Sequence, residues 1–196
     1  MAEYDPGTAL IVTDIQNDFA DPNGSLYVSG GEEVAPLANS EIERAVAAGA
    51  LVVYTQDWHP PSTPHFQKDG GIWPVHCVHG TWGAEFHPDL QVPRDAKIIQ
   101  KGTGGEDGYS AFSVRDPSSG RRASTPLEHL LRQAAIRRLV VIGLATDYCV
   151  KDTVLDAANL AFESTVLTGA VRAVELQPGD GGRALDELRG AGAHIE

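Results

Sequence analysis

Cationic side chains are scarce in this 196-residue sequence. Fifteen lysines and arginines stand against 27 aspartates and glutamates, which gives a net charge of −12. A surface this acidic repels phosphate backbones and anionic lipid headgroups, so neither nucleic acid nor a membrane is expected as a partner. The charge favours solubility and carries no information about the fold.

Long apolar runs and cysteines are also few. No stretch approaches the ~18 apolar residues that a membrane-spanning helix requires. The first residues, Met1 to Gly7, lack a basic segment followed by an apolar one, so no secretory signal is visible and a cytoplasmic location is expected. The two cysteines, Cys77 and Cys149, are therefore expected to be reduced, and a chain this long needs no disulfide to bury a core.

Short β-rich runs are present along the whole chain, separated by helical patterns. Continuous apolar runs predict strands of a parallel sheet that is covered on both faces. We expect a single doubly wound α/β domain over residues 1–196, with a six-stranded parallel sheet flanked by helices. The predicted strands are Ala9–Thr13, Leu51–Thr55, Lys97–Gln100, Leu139–Gly143, Thr165–Leu167 and a weaker Ala193–Ile195.

Helical periodicity predicts four helices between those strands. The first ends at Gly49, and the second opens at Thr125 with Pro126 in its first turn and Glu128 completing a capping box. The third starts at Cys149. The apolar faces of the first, third and fourth helices are marked by Val34, Leu37, Ala38, Ile42 and Val46, by Val150, Val154, Leu155 and Ala158, and by Leu185 and Leu188.

Two long segments, Asp57–Asp95 and residues 102–124, interrupt this alternation. Loops of such length in a compact domain are usually functional. Within the second, Asp116–Arg122 is interpreted as a mobile surface loop without chemistry. The glycine-rich stretch Gly102–Gly105 lacks the following helix start and lysine of a phosphate-binding loop, which excludes nucleotide binding there.

Reactive side chains directly follow four of the predicted strands. Asp14 follows the first, Asp57 and His59 the second, Lys101 the third, and Cys149 comes a short turn after the fourth. In open α/β sheets, ligands bind outside the carboxyl ends of the strands. The sequence therefore predicts an acid, a metal-ligand pair, an amine and a thiol at one edge of the sheet.

Cys149 is the candidate nucleophile of this set. At a helix start, free N–H groups and the helix dipole favour a thiolate, and a nearby Lys101 would lower the pKa of the thiol further. Asp14 could accept the thiol proton and later deliver it to a leaving amine. The alternative is a buried structural cysteine, a common role for this residue type.

A metal site is predicted from Asp57 and His59, with His65 and His76 in the following loop. A carboxylate and imidazoles together suit one divalent ion per chain, such as zinc, iron or manganese, with positions left open for water or substrate. The alternative is that these histidines are scattered and solvated. Phe19 and the segment Trp73–Cys77 add aromatic surface on which a planar substrate could stack.

Taken together, the motifs resemble the isochorismatase-like cysteine hydrolase superfamily and, within it, the nicotinamidase/pyrazinamidase family. The resemblance covers nearly the whole chain in the right order. The matching segments are Asp14–Phe19, Asp57–His59, Trp73–Cys77, Lys101–Gly102 with Tyr109–Phe112, and Gly143–Val150.

The resemblance implies a catalytic triad of Asp14, Lys101 and Cys149, with a metal that positions the ring of a small amide. It implies the hydrolysis of nicotinamide, and of pyrazinamide, through a cysteine thioester, and it allows a homo-oligomer. The further implied features are an oxyanion hole from the backbone N–H groups of Ala145 and Cys149, a cis peptide at Leu144–Ala145, metal ligands Asp57, His59, His65 and His76, and substrate contacts from Phe19, Trp73 and Tyr109.

Three alternatives stay open from the sequence. A metal-free sister amidohydrolase would share the triad and act on an N-carbamoyl compound or ureidoacrylate, but such relatives generally lack the Asp-x-His pair. An isochorismatase, which cleaves a vinyl ether, would lack the cysteine. A non-enzymatic domain of the same fold would have no need of an acid, an amine and a thiol at three strand ends.

Overall fold

The structure is a computed structural model that describes residues 2–196. Strands and helices alternate along most of the chain. The strands are β1 (Thr8–Thr13), β2 (Leu51–Asp57), β3 (Lys97–Lys101), β4 (Ser113–Arg115), β5 (Arg122–Ser124), β6 (Arg138–Leu144), β7 (Glu163–Arg172) and β8 (His194–Ile195). The α-helices are α1 (Asn17–Ala20), α2 (Val34–Ala47), α3 (Leu127–Gln133), α4 (Lys151–Asn159) and α5 (Asp180–Gly190).

Six of these strands form one parallel sheet in the order β3-β2-β1-β6-β7-β8. The register places Ile11 of β1 between Val53 of β2 and Val141 of β6. The chain winds outward in one direction from β1 to β3 and in the other from β6 to β8, so the order reverses between β1 and β6. The predicted six-stranded, doubly wound α/β sheet is confirmed.

Apolar layers cover both faces of the sheet. Successive strand residues point to opposite faces, so Leu10 and Val12 pack against α2 while Ala9 and Ile11 pack on the side of α3, α4 and α5. All six residues of β1 are buried, which explains the apolar run from Ala9 to Val12 at its centre. Within residues 2–196, no helix combines the length and the apolar character needed to cross a bilayer.

The second long segment contains structure that the sequence did not predict. β4 and β5 pair antiparallel as a small hairpin, in which Ser113 lies opposite Ser124. The interpretation of Asp116–Arg122 as a plain loop is therefore wrong at its last residue, since Arg122 begins β5. Both strands are short, and β5 is exposed, so neither carries the apolar pattern that marks a strand in a sequence.

Two details of the predicted helices also differ from the structure. In α2, Leu37 and Val46 are 42% and 62% exposed, so the buried face is formed by the smaller and neighbouring apolar positions instead. At α3, Thr125 Oγ1 accepts the N–H of Leu127 at 3.2 Å, but the N–H of Thr125 donates to the carbonyl of Phe112. The capping box is incomplete because Glu128 pairs with an arginine one turn later in the helix.

Candidate active site

The predicted reactive residues meet at the carboxyl edge of the sheet. Asp14 directly follows β1, Asp57 ends β2, Lys101 ends β3, and Cys149 lies in the turn after β6. The side chains come from strands on both sides of the β1–β6 reversal, where an open α/β sheet leaves a crevice. Topology thus brings together residues that are up to 135 positions apart in the sequence, from 14 to 149.

A buried ammonium lies between two carboxylates at the bottom of this site. Lys101 Nζ lies 2.6 Å from Asp14 Oδ2 and 3.2 Å from Asp57 Oδ1, and it donates to the carbonyl of Tyr109. Burial by itself lowers the pKa of Lys101, but the two carboxylates raise that pKa well above its ordinary value. The ammonium therefore stays charged and compensates the negative charge at this edge.

Asp14 is held in one orientation on a strained backbone. Its φ of 46° lies in the left-handed region, which residues other than glycine rarely adopt. Burial raises the pKa of Asp14, and Lys101 opposes that rise. The result is a carboxylate that binds a proton more readily than an exposed aspartate does.

Cys149 lies in a wide helical turn rather than at the first residue of a regular helix. The turn spans Thr146–Val150 and precedes α4, and the N–H groups of Tyr148 and Val150 both donate to the carbonyl of Ala145. The predicted low pKa of the thiol is wrong, because burial raises the pKa of Cys149 and Lys101 only partly offsets it. The resting group is a thiol that needs a base.

Asp14 is the candidate base, because its carboxylate lies near the thiol. One carboxylate oxygen of Asp14, one of Asp57 and the sulfur of Cys149 all lie within 4.8 Å of one another. Lys101 lies between the two carboxylates and offsets one of their two negative charges, so a cation is already present in this group. The peptide bond between Leu144 and Ala145, which precedes the turn, is cis, as the resemblance implies.

Three histidines cluster beside Asp57, and two of them lie against its other oxygen. Ring nitrogens of His59, His65 and His76 lie within 4.8 Å of one another. Asp57 Oδ2 lies 3.6 Å from Nε2 of His59 and 3.7 Å from Nε2 of His76. Burial alone would raise the pKa of Asp57, but Lys101 and the two histidines hold it well below its ordinary value, so the carboxylate is ionised.

The free ring nitrogens of this cluster fit a divalent cation. His65 Nδ1 lies 2.6 Å from Asp107 Oδ1, and His76 Nδ1 lies 2.8 Å from the carbonyl of Pro74, so both rings have Nε2 left for an ion. Among residues 2–196, neither ring nitrogen of the buried His59 has a hydrogen-bond partner. Buried polar atoms without partners require an explanation, and a metal bound at the cluster supplies one for His59.

An aromatic pocket of about 350 Å³, counting its open mouth, connects Cys149 with the histidines. Trp73 Nε1 donates to Tyr109 Oη at 2.7 Å, which fixes these two predicted substrate contacts relative to each other. Phe19, the third, packs against His76 with 5.4 Å between ring centroids. The lining consists of Phe19, Leu26, Val28, Asp57, His65, Trp73, His76, Tyr109, Ala145, Tyr148, Cys149 and Val174.

The glycine-rich segment after β3 packs closely against the ring of His59. A Cβ on Gly102, whose φ is +72°, would lie 2.4 Å from Cε1 of His59. Gly105 also has a positive φ, of +93°, but the nearest atom to its Cβ would be 3.5 Å away, on Thr63. Close approach of the loop to His59 therefore requires glycine at position 102 specifically.

We expect Gly102→Ala to displace His59 and to weaken metal binding, while Gly105→Ala does not. Both variants bear the cost of a non-glycine residue at positive φ, about 1–2 kcal/mol, so both should unfold at a somewhat lower temperature than the parent chain. Only the first should also bind a divalent metal more weakly, with zinc used as the probe. Thermal unfolding and zinc titration of the two variants test this, and equal zinc affinities would contradict it.

The sequence of this chain matches a known protein family. Residues 8–195 match the isochorismatase domain family. The chain belongs to the isochorismatase family. This assignment confirms the resemblance inferred from the motifs.

Relatives within the isochorismatase family share both sequence and shape with this chain. The nicotinamidase of Escherichia coli is 39% identical over 97% of this chain and 94% of its own. The structure of pyrazinamidase of Pyrococcus horikoshii in complex with zinc has a TM-score of 0.86 and 41% identity, covering 97% and 99% of the two chains. That of PnC1 from L. infantum in complex with nicotinate has a TM-score of 0.87 and 36% identity, covering 100% and 95%.

Several residues of this isochorismatase-family site were not predicted from the sequence. Tyr148 packs edge-to-face on Trp73 with 4.8 Å between centroids, and its place beside Cys149 could have suggested it. The side-chain amide of Gln16 hydrogen-bonds both backbone groups of Asp57: its Nε2 donates to the carbonyl and its Oε1 accepts the N–H, each at 2.8 Å. Asp107 lies in a segment with no recognisable pattern, so no sequence signal indicated its contact with His65.

Proposed function

We propose that this chain hydrolyses the carboxamide of nicotinamide to nicotinate and ammonia, and that it acts on pyrazinamide in the same way. One observation carries the proposal. Cys149, which lies near Asp14, lines the same aromatic pocket as two members of the histidine cluster, His65 and His76. Asp57 joins the two groups, since one of its oxygens contacts Lys101 and the other contacts His59. The kinship with nicotinamidases and pyrazinamidases supports the same reaction.

In the acylation step, Asp14 takes the proton from the Cys149 thiol. The sulfur then attacks the amide carbon, and the carbonyl oxygen becomes an oxyanion. We assign the backbone N–H groups of Ala145 and Cys149 as its donors, a contribution that typically lowers such a barrier by about 3–4 kcal/mol. Asp14 returns the proton to the amide nitrogen as the C–N bond breaks, which releases ammonia and leaves a thioester.

In the deacylation step, Asp14 accepts a proton from water, and the resulting hydroxide attacks the thioester carbon. The C–S bond breaks, Asp14 returns its proton to the sulfur, and the product leaves as nicotinic acid, which ionises to nicotinate in water. Lys101 stays charged throughout because its two carboxylate partners raise its pKa. Its charge opposes the rise in the pKa of Asp14 that burial causes, and it stabilises the thiolate as it forms.

Asp57, His59, His65 and His76 are proposed to hold a divalent ion, with zinc, iron and manganese all suited to this donor set. When bound, the ion supplies an electron-pair acceptor for the ring nitrogen of the substrate, directly or through a water. Phe19, Trp73 and Tyr109 border the space in which the ring would lie. Orientation of the ring places the carboxamide at the sulfur, which is a positioning effect.

The histidine cluster separates this proposal from a metal-free amidohydrolase acting on an N-carbamoyl compound or ureidoacrylate. Such a substrate has no ring nitrogen to hold, so an enzyme for it would gain nothing from three buried histidines. Burial disfavours the charged form of His65, since it lowers the pKa of that ring. A function that uses the histidines as neutral ligands accounts for that burial.

Ammonia release from nicotinamide, pyrazinamide and benzamide tests the proposal. Benzamide has the shape of nicotinamide without the ring nitrogen, so we expect it to be a poor substrate with or without metal. Chelation should remove most activity on the two nitrogen heterocycles. Turnover of benzamide at the rate of nicotinamide, or preferential turnover of an N-carbamoyl amino acid, would instead assign the chain to the metal-free branch.

A matched pair of histidine variants checks the metal site itself. His59→Ala removes a buried member of the cluster, whereas His79→Ala removes an exposed histidine of the same loop. We expect elemental analysis to find about one metal per chain in the parent and in His79→Ala, and much less in His59→Ala. Equal metal contents in the two variants would show that the cluster does not hold the ion.

A further inference from the structure

A threonine in β2 makes both of its hydrogen bonds to Asp14. Thr55 is completely buried, and its Oγ1 accepts the backbone N–H of Asp14 at 3.2 Å. The same hydroxyl donates to Oδ1 of the Asp14 carboxylate at 2.5 Å. Lys101 binds the other oxygen, Oδ2, at 2.6 Å. The carboxylate is thus held at both oxygens, by a neutral donor on one side and by a cation on the other.

These two contacts restrict different motions of Asp14. Lys101 is a single point of attachment, about which the carboxylate could still turn around its Cβ–Cγ bond. The hydroxyl of Thr55 removes that freedom, and by accepting the N–H it also anchors a backbone that has an unfavourable φ of 46°. Thr55 does not line the pocket, so it has no contact through which it could bind substrate directly.

We infer that Thr55 is a positioning residue for the proton shuttle: its hydroxyl holds the Asp14 carboxylate in the orientation that exchanges a proton with Cys149. This rests on the proposed function, in which Asp14 carries the proton in both half-reactions. A misorientation of a reacting group by about 1 Å can lower a rate by on the order of 100-fold. Substrate affinity should be unaffected, because the pocket walls stay in place.

The test is the steady-state kinetics of Thr55→Val on nicotinamide with the metal-loaded protein. Valine keeps the shape and β-branching of threonine but can neither donate nor accept a hydrogen bond. We expect kcat to fall by roughly 10- to 100-fold with KM unchanged. Thr55→Ser, which retains the hydroxyl, should restore most of kcat. A purely structural role of Thr55 would predict the reverse, with less folded protein but a normal kcat per folded active site.

The chain offers a matched control one residue from Asp14. Thr13 is equally buried, and its Oγ1 has no hydrogen-bond partner within residues 2–196. Thr13→Val makes the same chemical change at the same depth and should leave kcat and KM unchanged. The rates are normalised to folded protein by circular dichroism, and to accessible Cys149 by mass spectrometry of the alkylated protein.

The activity of the wild-type chain, measured alongside the variants, distinguishes a failure of this inference from a failure of the proposed function. If wild type is active and Thr55→Val retains its kcat, or if Thr55→Ser is as impaired as Thr55→Val, this inference is overturned and the proposed function stands. A rise in KM at constant kcat would overturn it as well, since Thr55 would then act on binding. Absence of wild-type turnover would overturn the proposed function, and this inference with it.

Discussion

Cys149→Ala is expected to reduce ammonia release from nicotinamide to the background rate while the protein stays folded. Among the described residues that line the pocket, Cys149 is the one thiol, and a thioester requires a thiol. The substitution removes one sulfur from a side chain that is 5% exposed, so the cost in packing is small. Residual activity well above background would exclude the covalent mechanism.

Cys77 provides the matched control, because it is the other free cysteine of the chain. Its thiol is completely buried, and its backbone N–H donates to Asp18 at 2.7 Å. Cys77→Ala should therefore keep its turnover, with at most a loss in stability. Iodoacetamide should inactivate the parent and Cys77→Ala by modifying Cys149, and peptide mass spectrometry identifies the modified residue. Inactivation without modification of Cys149 would reassign the reactive group.

The central part of the fold was predictable because its strands are buried on both faces. Every residue of β1 is buried, and a sequence reveals such a strand by the apolar run at its centre. β7 is longer than predicted because its second half, around Gly169, has partly exposed positions and follows a register shift opposite β6. The β4–β5 hairpin has no apolar signal, since most of its side chains are in solvent.

The reactive residues were predictable for a topological reason. Parallel strands deliver whatever follows them to one edge, so Asp14, Asp57, Lys101 and Cys149 had to approach one another once the sheet was inferred. Their protonation states were not predictable in this way. The pKa of Cys149 depends on how deeply the thiol is buried, and burial is a property of the packed loops rather than of the strand ends.

Supporting contacts such as Thr55 to Asp14 and Asp107 to His65 could not be read from the sequence. Each joins residues about 40 positions apart, and threonine and aspartate occur at many surface positions without any such role. The geometry of the loops decides which threonine and which aspartate makes the contact. These are the residues for which a structure adds most to a motif.

Asp14→Asn is expected to lower kcat/KM for nicotinamide by about 10²- to 10⁴-fold, the usual contribution of general acid–base catalysis. Asparagine has nearly the same shape, and its carbonyl oxygen can still accept the Thr55 hydroxyl. It cannot accept the thiol proton, and burial keeps the pKa of Cys149 high, so the sulfur remains protonated. Lys101 retains Asp57 as a partner at 3.2 Å, which keeps its charge compensated and the fold intact.

Mass spectrometry of Asp14→Asn during turnover distinguishes the two half-reactions. If Asp14 serves both, acylation fails first and no nicotinoyl adduct accumulates on Cys149. An adduct that does accumulate would limit the role of Asp14 to deacylation and would require another base for the thiol. Asp156→Asn is the control, since Asp156 is a partly buried carboxylate that binds Ser113 on the hairpin and makes no contact with the cluster of Asp14. Its kinetics should match those of the parent chain, so that a loss specific to Asp14→Asn reports the proton shuttle and not the general cost of neutralising an aspartate.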